Sequence, residues 1–203
     1  MLTLAAIAVA HAAEIDGAAL LARLARPAPE RTGFVEIRYS SLLAEPLVAT
    51  GELEHREDGA LVRHVTDPYR ETTVLRGENV TVDREGEKPR SFSLDRAPAL
   101  RGLMASFGAL LTGDLAMLER YFTMTVGGDE AVWWIELSPR DDKLARKLAA
   151  IRVDGERDRS RCFTLSEPDG DASVIVVGVE AATGLPPSLE RQSLQAWCGH
   201  VGR

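Results

Sequence analysis

The chain has 203 residues, of which 45% are hydrophobic and 27% charged, and a formal net charge of −7. That balance describes one water-soluble globular domain, long enough to bury about 70% of its unfolded surface without a metal or a disulfide network. Lys and Arg are scattered singly among Asp and Glu, so the basic stripe that a nucleic-acid partner requires is missing and no such partner is expected.

Met1 to Ala10 form an apolar run, followed by Ala10-His11-Ala12, which has the small-x-small form of a signal-peptidase site. The reading is a signal peptide over residues 1–12, a single mature domain over 13–203, and export to the periplasm. The run lacks the Lys or Arg expected at its start, so a start codon further upstream or an ordinary helix start also fits. Neither cysteine directly follows the run, so the chain itself should carry no lipid anchor. No later apolar run approaches the roughly eighteen residues of a membrane span, and the mature chain should not be integral to a membrane.

Gly17 to Arg26 places Leu20, Leu21 and Leu24 on one helical face, with Pro27 and Pro29 ending the helix. From Gly33 the period changes to two. Val35, Ile37 and Tyr39 alternate with Glu36 and Arg38, and Leu47 to His55 alternates again around Gly51. Short strands follow at Ala60 to Val65, Arg70 to Arg76, Asn79 to Arg84 and Arg90 to Leu94. Asp58-Gly59, Asp67-Pro68, Gly77-Glu78 and Glu85-Gly86 mark the turns. Such spacing leaves no room for crossover helices, so an antiparallel meander is expected.

Ala97 to Thr112 breaks the pattern: Leu100, Leu103, Met104, Phe107, Leu110 and Leu111 fall within an arc of roughly 120°, backed by small residues. A second short helix is expected from Asp114 to Arg120. Strands resume at Tyr121 to Val126, Ala131 to Leu137, Ala149 to Asp154, Arg161 to Leu165 and Ser173 to Val179, and Pro139 to Lys147 reads as a charged connection. The fold class is therefore mainly β with some α, a strongly curved antiparallel sheet or incomplete β-barrel with helices in its concave face.

Catalytic signatures are missing. The chain has no G-x-S-x-G, H-E-x-x-H, G-x-x-x-x-G-K-[ST] or G-x-G-x-x-G. His55 and His64 each sit on a presumed strand, and Asp141, Asp142, Asp169 and Asp171 read as solvated turn residues, so neither a cofactor nor a metal is expected. Cys162 and Cys198 are the only cysteines. In an exported chain the pair permits one disulfide pinning the tail to a strand, and two unpaired thiols fit the spacing equally well.

Several motifs in order resemble the LolA-type outer-membrane lipoprotein carrier family, in its divergent LolA-like branch. They are Gly51-Glu52-Leu53, then Gly59-Ala60-Leu61-Val62-Arg63 leading to Asp67-Pro68-Tyr69, then the helical insert. Ala131-Val132-Trp133-Trp134-Ile135-Glu136-Leu137-Ser138-Pro139 and Ile151-Arg152-Val153-Asp154-Gly155 complete the set. The resemblance implies a half-barrel closed by a helical lid, a hydrophobic cavity for acyl chains, and no catalysis. It also implies a lipid or lipidated client, an inner-membrane donor and an outer-membrane acceptor. One departure stands out: carriers of this kind have an arginine directly before the proline of the third strand to latch the lid, and here that position is Asp67, with Arg63 and Arg70 nearby.

The expected ligand-binding residues are Val35, Ile37 and Tyr39 on the first strand, Leu100, Leu103, Met104, Phe107 and Leu111 on the lid, and Trp133, Ile135 and Leu137 on the strand before Pro139. Trp134 should face outward, because strand neighbours point to opposite faces. A monomeric carrier is the leading reading. A binding or structural domain whose apolar stripe is plain core filling, and a small-molecule enzyme or enzyme partner, remain the alternatives.

Overall fold

Wherever apolar and polar residues alternate between turn signals the chain is extended, and the eleven resulting strands join one antiparallel sheet. The computed structural model describes residues 15–94, 104, 107–178, 181 and 184–199. The expected signal peptide at residues 1–12 lies outside them. In chain order the elements are α1 (Gly17–Leu24), β1 (Glu30–Tyr39), β2 (Leu47–His55), β3 (Leu61–Asp67), β4 (Glu71–Arg76), β5 (Asn79–Arg84) and β6 (Arg90–Ser93). A helical segment at residues 107–112, α2, follows. Then come α3 (Leu115–Tyr121), β7 (Phe122–Gly128), β8 (Val132–Pro139), α4 (Asp142–Ala145), β9 (Ala150–Glu156), β10 (Arg159–Ser166), β11 (Ala172–Val177) and α5 (Arg191–Gly199).

Local chemistry sets the boundaries. Asp16 caps α1 by accepting the Ala18 N–H at 2.9 Å, and α1 buries Leu20, Leu21 and Leu24. The tight turn before β5 puts Gly77 at a φ of +58°, and the turn after it puts Gly86 at +82°, a region that glycine enters without a Cβ penalty. Within the expected charged connection, Asp141 accepts from the Lys143 and Leu144 N–H groups and starts α4, which turns Leu144 into the core.

The strand order is β6-β5-β4-β3-β2-β1-β11-β10-β9-β8-β7. It is two meanders rather than one. The first runs outward from β1 and the second returns inward to β11, and the two join where Phe34 stands opposite Val177 and Tyr39 opposite Ala172. Among the described residues the sheet is not closed, with β6 and β7 at its two edges.

The two faces have separate cores. On the inner face α1, α2 and α3 pack Leu20, Leu21, Leu110 and Leu118 against Phe34, Trp133, Ile135, Phe163 and Ile175. On the outer face α5, a helix in the segment expected only as a tail, lays Leu194 and Cys198 over Val35, Ile37, Val174 and Val176. Cys162 and Cys198 are bonded, with Cα atoms 5.8 Å apart, so the helix is tied covalently to β10. The Tyr39 hydroxyl donates to the Leu189 carbonyl at 2.6 Å, and burial raises the phenol above its ordinary pKa while the Arg191 charge opposes the shift.

The β1–β2 connection is held from β11. Asp171 accepts from the Ser40 hydroxyl at 2.6 Å and from the Ser41 N–H at 2.9 Å, and these bonds hold its carboxyl below the usual aspartate range. A depressed carboxyl pKa contributes stability that is complete above the unfolded-state value and is lost as pH falls through the lower folded value. Asp171→Asn should therefore flatten the acid limb of the stability profile, read as the urea midpoint between neutral pH and pH values below the aspartate range. An unchanged acid limb would show that this turn carries none of the linkage. Separately, Cys198→Ser should lower the unfolding free energy by about 3 to 4 kcal/mol at most, the chain-entropy value for a loop of this size, as measured by urea unfolding.

Candidate functional site

The inner face is only partly filled. Over β8 and β9, Trp133, Ile135, Leu137, Ile151 and Val153 are fully covered, and they share their cluster with Leu20, Leu118 and Phe122. Glycine permits the closest of these approaches. A Cβ on Gly155 would collide with the Trp133 ring, so the bare backbone of β9 lets the indole lie flat and donate to the Arg157 carbonyl at 3.0 Å.

Between β1 to β5, β10 and β11 and the helical segment lies a cavity of about 750 Å³. Its apolar wall includes Phe34, Leu75, Val80, Phe163 and Ile175 from strands, with Met104, Phe107, Leu110 and Leu111 from the insert. Phe107 stacks on Phe163 at a centroid distance of 4.5 Å. Met104 packs beside Leu75, Val80 and Leu94, a small cluster at the β4–β6 end. Such a volume and lining fall in the range of small-ligand pockets.

A second wall is ionic. Glu36 on β1 accepts from Arg63 on β3, whose other terminal nitrogen lies 3.7 Å from Glu71 on β4, and Glu71 lies 3.0 Å from Arg84 Nε on β5. Arg63 sits over the Phe34 ring at 5.0 Å and Arg84 over the Tyr69 ring at 4.0 Å. The β1–β2 connection, which joins the cavity residues Arg38 and Leu47, exposes Leu42 (92%) and Leu43 (45%).

The expected site residues divide into four groups. Met104, Phe107 and Leu111 line the cavity. Leu100 and Leu103 lie outside the described residues. Trp133, Ile135 and Leu137 are on the inner face, and Trp134 is indeed the more exposed tryptophan, with Arg152 over its ring at 4.8 Å. Those three belong to the filled core and are not among the cavity's lining residues.

Val35, Ile37 and Tyr39 require correction: they face outward beneath α5, not into the cavity. The inner positions of β1 are Phe34, Glu36 and Arg38. The reason is that β1 is buried on both sides, Phe34 to Ile37 without a break, so the more apolar parity marks the face covered by α5. Of the two arginines near the departed latch position, Arg63 lines the cavity, paired to strand residues, and Arg70 is not among the lining residues. The sequence reading also missed Glu36, Glu71 and Arg84. Alternation alone does not mark them, because a single charge between apolar strand residues gives no sign that its own face is covered.

A family model described as outer membrane lipoprotein carrier protein LolA-like matches residues 8–200. Among solved structures, the chain is similar to the LolA superfamily protein NE2245 from Nitrosomonas europaea, at 9% identity over 81% of this chain and 92% of that one, with a TM-score of 0.42. It is also similar to a chain of the Pseudomonas aeruginosa MucA/MucB complex, at 14% identity over 80% of this chain but only 56% of that one, TM-score 0.41. A third likeness is LprF from Mycobacterium bovis, at 10% identity over 86% and 96% of the two chains, TM-score 0.34. No curated protein matches.

The division into filled and unfilled halves has a measurable consequence. Trp133→Ala should cost about 3 to 5 kcal/mol, as for a large aromatic removed from a packed core, whereas Phe107→Ala, at a cavity wall, should cost less than half as much. Equal losses in urea unfolding would mean that the wall at Phe107 is packed as tightly as the core.

Proposed function

The chain belongs to the LolA-like family of outer-membrane lipoprotein carrier proteins, and from that membership we propose that it is a periplasmic carrier that holds the acyl chains of a lipidated client. The observation that carries the reading is the cavity of about 750 Å³ between the sheet and the helical insert, with Phe34, Leu75, Val80, Phe107 and Phe163 on its wall. An acyl chain needs a continuous apolar surface, and each methylene withdrawn from water contributes about 0.8 kcal/mol. The Cys162–Cys198 bond supports an oxidising compartment, as the periplasm is. The client would be received from a donor at the inner membrane and passed to an acceptor at the outer membrane. The exposed Leu42 and Leu43 give the β1–β2 connection an apolar contact for that exchange. The working unit is a monomer and performs no chemistry.

Native mass spectrometry of the protein taken from its own cells, with titration of a fluorescent fatty acid, tests the reading. Co-purifying lipid and saturable binding are expected. Phe107→Glu should lose binding while keeping its far-UV circular dichroism, because a carboxylate in an apolar site costs several kcal/mol or stays in water and blocks the cavity. No bound lipid and no titration would leave a binding or structural domain of another kind, and a turned-over substrate would replace the carrier with an enzyme.

A further inference from the structure

The ionic wall of the cavity is not explained by holding alkyl chains. Glu36, Arg63, Glu71 and Arg84 form a row of alternating sign across β1, β3, β4 and β5, and the two carboxylate side chains are only 11% and 13% exposed. Half-buried pairs of this kind stabilise a fold no better than apolar side chains of similar volume, and apolar side chains here would extend the surface available to an acyl chain. The row is also polarised along the strands. Glu71 pairs with Arg84 across β4 and β5, and four residues further along the same strands Leu75 pairs with Val80, a separation of about 13 Å at the rise of a strand. On the β4–β5 side of the cavity the wall thus runs from charged to apolar.

The row continues with alternating sign at both ends, Arg38 at 3.5 Å from Glu36 and Glu87 at 3.8 Å from Arg84, and this alternation restricts what it can receive. A lone anion on Arg63 would also face Glu36 and Glu71, and a lone cation on Glu71 would also face Arg63 and Arg84, so each meets like charge on both sides. A group carrying both signs can replace an Arg–Glu contact without stranding either side. The contact between Arg63 and Glu71 is the loosest of the row at 3.7 Å, so it is the place to insert. Resting on the carrier reading above, we propose that this wall is a headgroup subsite for a zwitterionic amphiphile bearing a phosphate next to an ammonium. Arg63 and Arg84 take the phosphate, Glu36 and Glu71 take the ammonium, and the acyl chain runs toward Leu75 and Val80.

The test is displacement of a fluorescent fatty acid from the full chain by four competitors: lysophosphatidylethanolamine, lysophosphatidylglycerol and palmitate with equal acyl chains, and chain-free glycerophosphoethanolamine. In the wild type the zwitterionic lysolipid should compete at least about tenfold better than either anionic amphiphile, the value of one charge-assisted hydrogen bond, and the chain-free headgroup should not compete. In Arg63→Gln and Glu71→Gln the ratio between lysolipids should collapse. Equal competition by the three amphiphiles in the wild type, or a preference for an anionic one, overturns the subsite while leaving the carrier reading intact. Competition by the chain-free headgroup also overturns it, because the site would then take the free group. Failure of the fluorescent fatty acid to bind at all removes the carrier reading and the subsite with it. Should a variant fail to fold, the wild-type ranking still decides.

Discussion

The antiparallel pairing of β1 with β11, from Phe34 opposite Val177 to Tyr39 opposite Ala172, is the contact on which both faces of the sheet depend. It joins residues more than a hundred positions apart, so its loop-closure entropy is recovered only when the whole second meander has formed. Once made, it places β1 in the middle of eleven strands, where both its faces must be covered. The outer cover is α5, held by the Cys162–Cys198 bond and by Leu194. Because that helix seals the outer side of the sheet's centre, the inner side can be left partly unfilled without exposing the central strands to water on both faces.

The unfilled region lies where the helices do not reach. α1 and α3 deliver Leu20, Leu21 and Leu118 to the β7–β9 half, and the indole of Trp133 completes that half by lying over Gly155. Across β2 to β5 the inward side chains mix aliphatic ones such as Leu53, Leu75 and Val80 with short or charged ones such as Ala49, Thr73 and Glu71, and the insert supplies Met104, Phe107 and Leu111. A sheet this large curving around three short helices encloses more volume than its side chains occupy, which is how a cavity arises from composition rather than from a missing residue.

Strand positions were legible in the sequence because closely spaced turn signals exclude any crossover helix, and the inward parity of Trp133, Ile135 and Leu137 was legible because Trp134 and Glu136 between them are less covered. Parity on β1 was not. Val35 and Ile37 are as buried as an inner face requires, yet what buries them is a helix some 150 residues later whose apolar residues, Leu194, Trp197 and Cys198, are too few to announce it. The ionic wall was illegible for a related reason. Glu36 and Arg63 stand 27 residues apart and meet across an intervening strand, and alternation alone reads each of them as a solvent-facing charge.

The same ionic row has a mechanical role that follows from its geometry. β4, β5 and β6 form a wing of the sheet whose buried residues, among the described ones, make a small cluster around Leu75, Val80 and Leu94, and backbone ladders between neighbouring strands resist twisting weakly. Glu36 reaches over β2 to Arg63, and Glu71 joins Arg63 to Arg84, so three side-chain contacts tie the wing to the central strand along the wall of the cavity. Stacking of Arg63 on Phe34 and of Arg84 on Tyr69 fixes both guanidinium planes against the wall. A ligand that substitutes for one of these contacts without leaving a bare charge can therefore enter while the wing stays in register. One that strips a single charge loosens the brace that shapes its own cavity.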